Sequence, residues 1–225
     1  MAYNGAGMII FKKHILPARD PRIYMAVERT YLGYLRFGLS IVTFGFFFYK
    51  VGGIIFSARS LFGPPLYFSI TLAVVLAGLG MIVFSIFSFV FDMKYISKGI
   101  EVDKKETRDP RIYMAAERTF LAWVRTSVSL IIFGFVVENF ELLLKQIGMG
   151  SRITVSQNTG LVEVGLFIIL TGVGTVLIGI MNFRSALRQI DVGFYRTNET
   201  MYKIFGALIF ITSLVIIGFM LRLME

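Results

Sequence analysis

Residues 108–135 read RDPRIYMAAERTFLAWVRTSVSLIIFGF, and residues 19–46 read RDPRIYMAVERTYLGYLRFGLSIVTFGF. At a constant offset of 89, the two segments share all of RDPRIYMA, then ERT, Leu32/Leu121, Arg36/Arg125, Ser40/Ser129 and FGF. Such agreement inside one chain is an internal repeat. Each copy opens on Asp-Pro, with the Asp placed as an N-cap and the Pro in the first turn. A helix is therefore predicted to start at Asp20 and again at Asp109, and to run from a charged beginning into an apolar stretch.

That stretch belongs in a bilayer. The 225 residues are 56% hydrophobic, and their mean hydropathy of +0.74 is too high for a water-soluble domain. Apolar runs of about 20 residues, the length that crosses roughly 30 Å of hydrocarbon, fall at 31–56, 66–91, 119–143, 161–183 and 204–223. The expected fold is all-α, a multi-pass membrane protein with five transmembrane helices in two parallel repeats of two and three helices. Two spans return the chain to its starting side, so the second RDPRIYMA begins where the first did. The expected segments are an N-terminal one at 1–18, a first repeat at 19–91, a linker at 92–107 and a second repeat at 108–225.

Lys and Arg crowd the N-terminus and the connections at 92–118 and 184–203, whereas the opposite side carries few. By the positive-inside rule this predicts a cytoplasmic N-terminus and an external C-terminus in the cell (inner) membrane. The start of the chain lacks the pattern of a cleavable signal, so the chain is read as mature from Met1. The net charge of +9 is a consequence of this topology, and no nucleic-acid partner is expected.

With no Cys and one His, His14 in a polar segment, thiolate sites and most catalytic constellations are absent. Neither HExxH nor GxSxG occurs. Glu138 and Glu141 correspond to Tyr49 and Gly52 in the first copy, so no repeated metal site is expected. The chain is read as a non-enzyme without cofactor or metal.

The chemistry sits instead in arginines spaced by seven. Arg22, Arg29 and Arg36, and again Arg111, Arg118 and Arg125, fall near one helix face, drifting only about 20° per seven residues. Taking residues 119–137 as the span puts Arg125 on the order of 9 Å below the cytoplasmic boundary, with Trp123 near the aromatic belt. An arginine at that depth either faces a wet interior or snorkels to headgroups. Ser40 and Ser129, with Thr43, extend the polar face. Glu28 and Glu117 lie about 100° from the neighbouring arginines and suit bonding between helices. In the second helix of each repeat, small residues recur every seven positions: Thr71, Gly78 and Ser85, then Gly165, Gly172 and Gly179. Such stripes let membrane helices approach closely.

DPRIYMAAERTFLAWVRTSVSLIIFGF resembles the signature of the YidH-like membrane family, catalogued as domain of unknown function 202. That family is similar to the transmembrane part of the vacuolar transporter chaperone complex, which makes and translocates polyphosphate. The resemblance covers 108–223 strongly and 19–91 well. It implies units assembled around a basic pore lined at Arg22 with Arg29 and at Arg111 with Arg118. It also implies an uncharged residue where Arg36 and Arg125 stand. The chain lacks a polymerase domain, so the resemblance implies conduction or scaffolding and not synthesis.

Two readings follow. In the first, a homo-oligomer in the bilayer surrounds an arginine-lined pathway for phosphate-containing anions. In the second, a structural or regulatory membrane subunit binds acidic lipids or a partner protein through the same arginines.

Overall fold

A computed structural model describes residues 18–58, 64–101, 109–139 and 161–222. Among the described residues there are five helices: α1 Pro21–Ala58, α2 Pro64–Ile96, α3 Pro110–Glu138, α4 Leu161–Asp191 and α5 Glu199–Arg222. All five are long and apolar enough to cross a membrane, and the protein is an all-α, multi-pass membrane protein built on two parallel repeats. The helices start where Asp-Pro predicts. Asp109 is the N-cap of α3, its side chain accepting from the Arg111 backbone N–H. Asp20 accepts in the same way from Arg22 at 2.7 Å. Helix α1 is unbroken over 38 residues, about 57 Å of helix, so its charged start and its apolar body share one rigid rod.

Each repeat folds as a hairpin, α1 on α2 and α3 on α4, and these two contacts are the most extensive in the molecule. The small-residue stripes make them possible. A Cβ placed on Gly78 would meet the Gly38 carbonyl oxygen at 2.9 Å, and one on Gly165 would meet that of Gly134 at 2.9 Å. Gly172 packs against Ile131 and Leu130, and Gly179 against Trp123. Thr71 and Ser85 are buried on the same stripe, and the Ser85 hydroxyl donates to the Tyr31 carbonyl at 3.2 Å.

The hairpins meet through α1 and α3, and α5 packs behind that junction, against α2 and α1 and more lightly against α4. The core there is aromatic. Trp123, expected at the bilayer interface, is instead fully buried against Tyr202 and Phe205. Gly179 opens the space for its ring, and its indole N–H reaches the Tyr202 hydroxyl at 3.4 Å. Tyr31 stacks against Phe89 and donates its hydroxyl to the Tyr202 carbonyl at 2.9 Å.

Helix α2 runs to Ile96, past the predicted end at 91, so the linker begins later than expected. Beyond it, β1 Ala18–Arg19 and β2 Ile100–Glu101 form a two-residue parallel pair. The Arg19 guanidinium holds the same corner by donating twice to the Ser97 carbonyl, at 3.0 and 2.8 Å. The rest of the linker at 102–107, the N-terminal segment with His14, and Glu141 lie outside the described residues. At the end of α4, Gly193 takes a positive φ of 80°. Its N–H bonds the Ile190 carbonyl while that of Phe194 bonds Gln189, the six-to-one and five-to-two pattern that closes a helix on glycine. This turn carries the chain back across the end of the bundle to Tyr195.

Candidate functional site: an arginine groove between the repeats

The contact of α1 with α3 leaves a groove of about 320 Å³ lined by Arg29, Arg36, Arg118 and Arg125, with Leu32, Gly33, Leu121, Ala122 and Thr126. The four arginines are two equivalent pairs, one from each repeat, brought side by side because α1 and α3 run in the same direction. No carboxylate lines this groove among the described residues. The adjoining glutamates point elsewhere because they sit about 100° around each helix. The groove is therefore a concentration of positive charge without an internal counter-charge. Further along the same pair of helices a second hollow, also about 320 Å³, is lined by Ser40 and Thr43 among Phe44, Phe46, Phe47, Phe133, Val136 and Val137. The arginine face thus gives way to a largely aromatic one.

The remaining predicted residues are distributed unevenly. Arg22 does not join the groove; its guanidinium pairs with Asp109 at 2.9 Å and ties the start of α1 to the start of α3. Arg111 is exposed in the first turn of α3 and lines neither hollow. Ser40 and Ser129 donate to the carbonyls of Arg36 and Arg125, each at 2.9 Å. Of the two, only Ser40 lines a hollow.

Glu28 bonds across the fold, to the turn between α4 and α5 and not to another helix. It is fully buried and accepts from the Tyr195 hydroxyl at 2.8 Å. With Thr119, Asn182 and Tyr195 it borders a cavity of about 10 Å³, room for a single water. Glu117 departs from expectation: it is exposed, turned away from the bundle. Tyr195, Tyr202 and Asn182 belong to this second polar cluster, Asn182 donating to the Tyr202 hydroxyl at 2.8 Å. The repeat pattern does not point to them, because Tyr195 lies in the turn between α4 and α5 and Tyr202 on the helix that has no copy in the first half.

Chemically, a groove of guanidiniums with no carboxylate among its lining residues recognises anions with several oxygens, phosphate groups above all, through charge-assisted and bidentate hydrogen bonds; of the four, Arg29 already donates its Nε–H to the Met25 carbonyl at 3.2 Å. No cluster of His, Cys, Asp or Glu suited to a metal ion occurs among the described residues.

Comparison with known proteins finds no match among curated proteins and none among solved structures. The family model described as domain of unknown function DUF202 matches twice, over residues 22–94 and 111–189. Each match spans one helical hairpin with its ERT motif, and α5 follows the second as a helix outside the family's own unit. Covering well over half of the chain in two copies, these matches place the protein in the DUF202 family, as a tandem member.

Proposed function

We propose that the protein forms an arginine-lined pathway for anions, with phosphate or polyphosphate the preferred class, completed by further copies of the chain in the membrane. What supports this reading is the meeting of Arg29, Arg36, Arg118 and Arg125 in one groove with no carboxylate among its lining residues. Rings of Arg or Lys are how phosphate and anion pores select charge. An arginine toward the centre of the slab costs about 2.5–3.5 kcal/mol on insertion scales and is tolerated where it faces a wet interior. The resemblance to the transmembrane part of the polyphosphate-translocating complex points to the same substrate class. On this reading the chain is a conduit and not an enzyme, its N-terminus is cytoplasmic, and the anion meets Arg29 and Arg118 before Arg36 and Arg125.

The test is flux of phosphate and short polyphosphate into liposomes carrying the purified protein. Arg29→Ala with Arg118→Ala is expected to lower the flux at least tenfold, the effect of about 1.4 kcal/mol in a binding step. Absent flux, cation selectivity or insensitivity to the arginines overturns the reading. The exposure of Arg118 and Arg125 in this groove favours a second reading, in which the guanidiniums clamp an acidic lipid headgroup. Co-purification of stoichiometric anionic lipid, lost in the same variant and without any flux, selects that alternative.

A further inference from the structure

The two repeats meet head to tail. The side of α1 turned toward α3 carries Met25, Glu28, Leu32 and Phe46, which are 0, 0, 1 and 3% exposed. The second repeat has the identical residues at the equivalent positions of α3, and there no described residue encloses them: Met114 and Phe135 are 50 and 52% exposed, Leu121, which also lines the arginine groove, is 56% exposed, and Glu117 is exposed too. The reverse holds for the other pair of faces. Thr119 and Thr126 are buried on the side of α3 turned toward α1, whereas their counterparts Thr30 and Phe37 on α1 are exposed. An interface that uses different faces of two equivalent helices is not self-closing. It leaves one unsatisfied copy of each face at the ends and propagates until a ring closes.

The charges follow the same logic. Arg22 of α1 pairs with Asp109 of α3; of their counterparts, Arg111 is exposed and Asp20 half-buried at the start of α1, and they are not paired with each other. Lipid accounts for exposed Leu and Phe, but an apolar tail or an acidic headgroup makes no use of the Glu117 carboxylate.

We propose that a second copy of this chain covers the free face of α3. The α1 face bearing Thr30, Phe37 and Phe44 docks on the α3 face bearing Met114, Leu121 and Phe135, and Arg111 of one copy meets Asp20 of the next. This rests on the reading of the arginine groove as one wall of an oligomeric pathway, and it names what closes that wall. Each added copy sets its Arg29 and Arg36 beside Arg118 and Arg125 of its neighbour, so the closed ring encloses the stripes. Helix α5 stands behind the junction within a chain and has no copy in the first repeat. The contact between chains therefore lacks that outer support and is the weaker of the two.

The chain has no Cys, which makes disulfide trapping direct. Thr30→Cys and Met114→Cys are placed in separately tagged chains, co-expressed and oxidised in native membranes. The positions are chosen because at the equivalent in-chain pair the Thr119 hydroxyl reaches the Met25 backbone carbonyl at 3.4 Å, which brings the two residues side by side. The mixture is expected to give a covalent dimer carrying both tags, and neither variant alone a dimer. Phe44→Cys with Phe135→Cys repeats the test further along the helices, and all four positions are exposed, so folding is preserved. Self-linking of either single variant, linkage to a different protein, or no linkage at both pairs overturns the proposal. Crosslinks without arginine-dependent flux leave the docking standing and remove the pathway; flux without crosslinks does the opposite.

Discussion

Glu28 and Glu117 occupy equivalent places in the two repeats, and only Glu28 is enclosed. The difference comes from the turn after α4, which lays Tyr195 over the first repeat and gives the carboxylate a hydroxyl donor at 2.8 Å. A buried acceptor that loses its donor costs about 1–3 kcal/mol. Tyr195→Phe is therefore expected to lower the thermal stability of the detergent-solubilised protein by that amount, read as a drop in Tm. Burial, and after it the Glu28 carboxylate, holds the Tyr195 hydroxyl protonated well above its ordinary value of 10.0. The folded chain keeps this proton at alkaline pH while the unfolded chain loses it, so the contribution is whole below pH 10 and is lost as pH rises beyond. The Tm difference between wild type and Tyr195→Phe is accordingly expected to shrink as pH rises above 10. A difference that grows there counts against the assignment.

At the scale of the helix, the hairpins depend on backbones in contact. Around Gly165 an added Cβ would meet the Glu138 nitrogen and the Gly134 oxygen at 2.9 Å, and backbone atoms cannot rotate aside. Gly174, on the same helix, has nothing within 4 Å. Gly165→Ala is expected to destabilise by about 1–3 kcal/mol through overpacking, and Gly174→Ala to be neutral or stabilising by up to about 1 kcal/mol through helix propensity. Paired thermal melts in one detergent check both. Equal effects would mean that the stripe is compositional and not a packing seam. Gly206 marks where α5 docks, since a Cβ there would collide with the Tyr31 hydroxyl that bonds the Tyr202 carbonyl.

For the molecule as a whole, four guanidiniums share one groove and repel one another until an anion enters. A ligand that binds only the folded state stabilises it by RT ln(1 + [L]/Kd), about 2.7 kcal/mol at a hundredfold excess over Kd. Polyphosphate is expected to raise the wild-type Tm, and to leave a variant with all four groove arginines replaced by Gln unchanged. The shift is expected to shrink with added salt, because groove and anion are partly solvated. An equal shift in both proteins places the binding elsewhere on this basic chain.

The five spans, the two parallel copies, the helix starts at Asp20 and Asp109 and the close-packed glycine stripes are legible in the letters. Each depends on local periodicity, hydrophobic length or capping chemistry that a single segment carries alone. The arginine register is legible for the same reason, but its destination is not. Whether Arg22 joins Arg29 or is drawn off by Asp109, whether Glu28 or Glu117 is enclosed, and why Trp123 is buried all depend on which helix stands beside which. That choice belongs to the tertiary structure, where α5 packs mainly on the first repeat and more lightly on the second, and makes two nearly identical segments unequal in their surroundings.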